Sequence, residues 1–145
     1  MGFETLIKGD KNVVIRRAEG AVALGFLADV ADLKVGQAVM LKNAVGVSKV
    51  APVASANDLP LGVIVTPQEG DSLEVVVLPF GGSTELLGQA DRTVEGGDRV
   101  SASGFDAVTG LTTYKSGGKF VCGVALSGAD GGGEIRIMAL NPSTR

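Results

Sequence analysis

The sequence predicts an all-β protein: a compact small β barrel or sandwich built from two related lobes, with at most one short helix. Three observations predict it. Glycine supplies 22 of 145 residues, about twice its usual share, and lies between short runs of Val, Ile and Leu. Those runs have strand length and are bounded by Gly, Asp and Asn turns. One phrase also occurs twice, as LGVIVTPQEGDSLEVVV over residues 61–77 and CGVALSGADGGGEIRI over 122–137. The glycines follow no Gly-X-Y period and aliphatic residues are plentiful, which excludes collagen and argues against disorder. A chain of this length makes one ordinary domain, burying roughly two-thirds of its unfolded surface.

Residues 1–11 form an N-terminal arm. They lie outside the duplication and combine the apolar Phe3, Leu6 and Ile7 with Lys8 and Lys11 beside Gly2 and Gly9, a composition suited to ordering on a partner. An edge strand packed on its own domain is the alternative. Residues 12–145 are expected to form a single β domain. Its first strands fall at 12–17, where Val13, Val14 and Ile15 follow one another, and at 21–27. Two internal repeats then span about 35–78 and 96–138. Gly36 and Gly62 align with Gly97 and Gly123 at one offset of 61, and Glu74 aligns with Glu134 at 60. Each copy reads as a turn glycine opening a strand, a variable loop, a second strand entered through Gly-Val, an acidic or glycine turn, and a third strand. A small sheet cannot hide its apolar face alone, so two such lobes should close on a shared core. Between the copies, STELLGQA at 83–90 predicts a short helix capped by Ser83 or Thr84 and weakened by Gly88.

The remaining composition excludes function classes. A net charge of −3 does not suit a phosphate-neutralising surface; Lys8, Lys11, Arg16 and Arg17 are interrupted by Asp10 and Glu19 and read as a solvated face. No apolar run reaches membrane-spanning length, and the first residues lack a signal-peptide pattern. Neither nucleic acid nor membrane is expected as a partner. Cys122, the single cysteine, sits in an apolar run and reads as a buried, reduced thiol. Histidine is absent, removing the commonest general base and metal ligand. Gly118-Lys119-Phe120 lacks the Ser or Thr of a phosphate loop. The acidic pairs Glu69/Asp71 and Asp130/Glu134 have the chemistry for calcium or acid-base work but read as turn residues. Ser116 and Lys115 alternate across a strand and so do not meet. No catalytic, cofactor-binding or metal-binding residue is assigned, and the protein is expected not to be an enzyme.

The doubled pattern VGQAVML, LGVIV, GDSLEVVV and GGDRVSA, CGVAL, GGGEIRI, over roughly residues 35–140, resembles the head decoration or capsid cement proteins of tailed bacteriophages. The resemblance implies a β-tulip-like fold and a homotrimer. It further implies attachment to the major capsid protein at three-fold or quasi-three-fold positions on the virion's outer surface, stabilising the head against internal DNA pressure after synthesis in the host cytoplasm. On this reading the arm residues Phe3, Leu6, Ile7, Lys8 and Lys11 bind the capsid. The apolar, charge-poor strand holding Val75, Val77 and Phe80 supplies the trimer interface. The alternatives are another virion structural protein, a tail-tube or head-fibre subunit, and more remotely a carboxylate-based enzyme.

Overall fold

The computed structural model describes residues 5–8, 13–17, 20–42 and 48–144, and among these it contains twelve strands and no helix. β1 (Thr5–Lys8) and β2 (Val13–Arg17) form an antiparallel hairpin. β3 (Leu24–Ala28), β4 (Ala38–Lys42), β5 (Lys49–Pro52), β6 (Gly62–Thr66) and β7 (Glu74–Pro79) close into a barrel in the order β3-β5-β4-β6-β7. β8 (Glu85–Ala90), β9 (Arg99–Phe105), β10 (Thr112–Ser116), β11 (Phe120–Ala125) and β12 (Glu134–Thr144) lie in a seven-stranded sheet ordered β1-β2-β8-β10-β9-β11-β12. β8 also pairs with β12, so its last five strands close as a second barrel.

The two barrels have one topology and one register. In the first, Val39 is opposite Pro52 and Gly62, and Ile64 is opposite Val77. In the second, Val100 is opposite Ser116 and Gly123, and Ala125 is opposite Ile137. Both barrels are completed by a strand that precedes the aligned segments: β3 runs parallel to β5 and antiparallel to β7, as β8 does to β10 and β12. The turn glycines Gly36 and Gly97 have φ of 86° and 92°, where an L side chain is strained. Gly62 and Gly123 have a different reason: a Cβ there would overlap the Leu78 carbonyl in one barrel, and Ile137 and the Met138 carbonyl in the other.

The expected helix at 83–90 is a strand instead. Gly81, Gly82 and Ser83 all take positive φ, whereas an N-cap residue needs an extended backbone. The following ELLGQA buries Leu86, Gln89 and Ala90 between β12 on one side and β2 and β10 on the other. Burial in a sheet outweighs a helix propensity of a few tenths of a kcal/mol per residue.

Each barrel has its own interior. Ala28, Leu33, Val39, Val50, Ile64, Val75 and Val77 fill the first. At the matching positions Ala90, Val94, Val100, Tyr114, Ala125, Ile135 and Ile137 are buried in the second. The outer face of the first barrel, through Ala38, Val63 and Leu78, joins the second barrel's cluster. Thr112 clasps the two together: its hydroxyl accepts from the Ala38 N–H at 2.7 Å and donates to the Gly36 carbonyl at 2.8 Å, fully buried.

Candidate interaction surface

Two closed barrels leave few free strand edges, and an unpaired edge is a template for pairing with another chain. Among the described strands, β1 ends the seven-stranded sheet with its outer edge unpaired. Alternation sets its side chains: Leu6 is 54% exposed, Lys8 is exposed, and Ile7 between them packs against the core. Of the five arm residues expected to bind a partner, Leu6 and Lys8 thus face outward together and Ile7 faces in, while Phe3 and Lys11 lie outside the described residues. For residues 5–8 the edge strand, the alternative reading, is what forms.

Lys8 also borders a groove of about 570 Å³ with Lys34, Asp32, Leu87, Val108 and Glu134, where β1 and both barrels meet. The loop on its far side is held by Asp106, whose carboxylate accepts from the Val108 and Thr109 N–H groups at 2.7 and 3.1 Å. Those bonds, Thr109 first, hold its pKa below the ordinary aspartate value by favouring the charged form. Beneath the hairpin, Glu85 on β8 takes ion pairs from Arg16 at 3.5 Å and from Arg136, tying β2, β8 and β12 into one rim.

The residues expected at a subunit interface are placed otherwise. Val75, Val77 and Phe80 are 2, 0 and 4% exposed and fill the chain's own two cores. Side chains already buried have no area left for a partner, so an interface must be drawn from other residues. The exposed apolar residues are instead concentrated on the first barrel, at Leu24, Leu27, Leu41 and Leu59. Sequence reasoning did not single these out, because LGFLA and AVMLK have the composition of buried strands.

The candidate chemistry stays dispersed. Glu69 and Glu74 border one groove of about 750 Å³ with Phe26 and Leu27; Asp130 is engaged by the Thr93 hydroxyl at 3.3 Å. No group of three or more acidic or cysteine side chains with metal-holding geometry occurs among the described residues. Lys119 stands 5.2 Å over the Phe120 ring. Cys122 is a free, fully buried thiol, and burial pushes its pKa up to about 12. The neighbouring Tyr114 hydroxyl is also fully buried, beside Thr112, and makes no hydrogen bond of good geometry among the described residues. A thiol held protonated in this way is inert packing and not a nucleophile.

No family model and no curated protein matches the chain. Among solved structures it is similar to the N base of head fiber gp8.5 of bacteriophage phi29, with a TM-score of 0.54 and 16% sequence identity over 81% of this chain and 92% of that one. At that identity the likeness is one of fold.

Proposed function

We propose that the chain is a structural protein of a tailed-phage virion, attached as a homotrimer to the outside of the head through the major capsid protein. The observation that carries this reading is the fold shared with a phage head-fibre base across most of both chains. The outward-facing edge of β1 supports it, offering backbone groups, Leu6 and Lys8 to a partner strand in the manner of strand addition. No catalytic step, cofactor, metal, nucleic acid or membrane belongs to this function.

Two roles share that attachment. A cement protein clamps neighbouring capsid subunits, whereas a fibre base only seats an appendage; the fold likeness favours the second and the sequence pattern the first. Purified expanded heads of the phage carrying the gene separate them. The protein is expected to co-sediment with these heads, and the Leu6→Asp/Lys8→Glu variant, altered only at exposed positions, to remain folded but lose binding at least tenfold. A rise in the heads' thermal stability identifies cement, and binding without that rise identifies a fibre base. Heads that do not retain the wild-type protein overturn the proposal.

A further inference from the structure

The two barrels are equivalent in register but not in what covers them. Consider the barrel end formed by the first residues of β3, β5 and β6 and the last of β4 and β7. In the second barrel the matching end carries Leu86, Ala102 and Cys122, exposed by 2, 1 and 0%. It abuts the first barrel: Thr112, the first residue of β10, bonds Gly36 and Ala38 there, and Ala38, Val63 and Leu78 share its buried cluster, with Val65 packed against it. In the first barrel the same three positions are Leu24 and Leu41, exposed by 46 and 48%, and the half-buried Leu61. Apolar side chains that the chain buries at one barrel end are therefore left open at the other.

The covering face has a counterpart too. Val63, Val65 and Leu78 on the outside of the first barrel correspond to Val124, Leu126 and Met138 on the outside of the second. Leu126 is 52% exposed, and Val124 and Met138 are half-buried. Apart from the share of that contact supplied by Val14 and Ile15 of β2, the chain thus displays one unused end and one unused cover of a contact it already makes internally.

We infer that the open end of the first barrel is covered by the outer face of the second barrel of another copy of this chain, repeating between chains the packing that joins the barrels within one. Continuity with the internal interface favours a second copy, because counterparts of both its sides remain on the chain and both are apolar. Of the basic residues beside the two surfaces, Lys42 is paired with Asp29 at 2.7 Å and Arg136 with Glu85, and the half-buried Lys49 at the open end adds, after Lys42, to the positive field that lowers the Asp29 pKa. Such a contact is heterologous, joining unlike patches, so copies close into a ring or extend indefinitely. It involves no capsid, and stands or falls without one.

The test is sedimentation velocity of the full chain at micromolar concentration, without heads. Wild type is expected to form a discrete oligomer. Leu24→Asp/Leu41→Asp removes the open end and Leu126→Asp the cover; each alone is expected to sediment as a monomer with a near wild-type melting temperature, since Leu24, Leu41 and Leu126 are exposed. Mixed one to one, an end variant and a cover variant retain one intact surface each and should form a dimer of two chains and nothing larger. A monomeric wild type overturns the inference, as does a cover variant that assembles alone, which would mean an end-to-end contact, or a mixture that stays monomeric.

Discussion

The first barrel and the second use one backbone plan with different side-chain volumes. Where the first places Val50 in its interior, with Phe26, Leu41 and Ile64 at nearby positions, the second places Tyr114 with Gly88, Ala102 and Ala125. A Cβ on Gly88 would overlap the Tyr114 ring. One large residue has thus replaced interior volume contributed by Phe26 and Ile64 on two other strands, Leu41 being half exposed at the barrel mouth. Strand register is therefore kept between the two copies where single core residues are not, because interiors tolerate redistribution of volume provided the total is kept.

The largest effect should come from breaking that redistribution. Tyr114→Ala is expected to cost about 3–5 kcal/mol, the range for deleting a buried aromatic ring, and Gly88→Phe about 3 kcal/mol by overpacking. Gly88→Phe/Tyr114→Val installs the first barrel's pair in the second, and should lose less than either single change. Urea denaturation of wild type, Gly88→Phe, Tyr114→Val and the double variant gives the coupling energy directly. Additive losses would mean that the barrels are not volume-equivalent at these positions.

How far the sequence revealed this plan depended on what fixed each residue. Gly36 and Gly97 are dictated by φ, Gly62 by the Leu78 carbonyl against it, and Gly123 by the Ile137 side chain and the Met138 carbonyl; none of the four sites accommodates a side chain without strain or overlap, so they persist as a readable signal. β3 and β8 occupy equivalent places, yet LGFLA and ELLGQA agree only at Leu24/Leu86 and Ala28/Ala90, because β8 is specified by its sheet neighbours and by Gly88 making room for Tyr114. Its local sequence favours helix, and only tertiary contacts reverse that. For the candidate surface, Leu6 and Lys8 were legible as an apolar and basic pair, but core and interface draw on the same residue types. Val75 and Val77 therefore could not be told from interface residues, nor Leu24 and Leu41 from core, until closure of the barrels assigned each a side.

A smaller effect follows at the junction between the barrels. Thr112→Val keeps the shape but leaves the buried Ala38 N–H and Gly36 carbonyl without the hydroxyl that serves both, a loss of about 3 kcal/mol for two groups at 1–3 kcal/mol each. The corresponding first-barrel residue, Ser48, is exposed, and Ser48→Val should change stability by less than about 0.5 kcal/mol. Thermal denaturation of both variants checks the contrast; equal losses would show that Thr112 is not a clasp.

The smallest effect separates the barrels by pH. Among the described residues the first barrel's buried cluster is aliphatic and no buried polar residue there titrates. The second contains Cys122, pushed up to about 12 by burial, and Tyr114, raised well above its ordinary value first by burial and then by Cys122. In the unfolded chain a thiol titrates near about 8.5. Between that value and about 12 the unfolded state has released a proton that the folded state retains, so stability is full below about pH 8 and falls as pH rises through the window. At about 1.4 kcal/mol per pH unit for one group, the thiol alone should remove roughly 2 kcal/mol by pH 10. The Cys122→Ala variant, although weakened at pH 7 by the cavity it leaves, should show a flatter decline between pH 8 and 10 than wild type. Urea midpoints over that range measure both slopes. Parallel declines would mean that the thiol is reached by solvent in the folded state, and that the second barrel's interior is no more closed to ionisation than its surface.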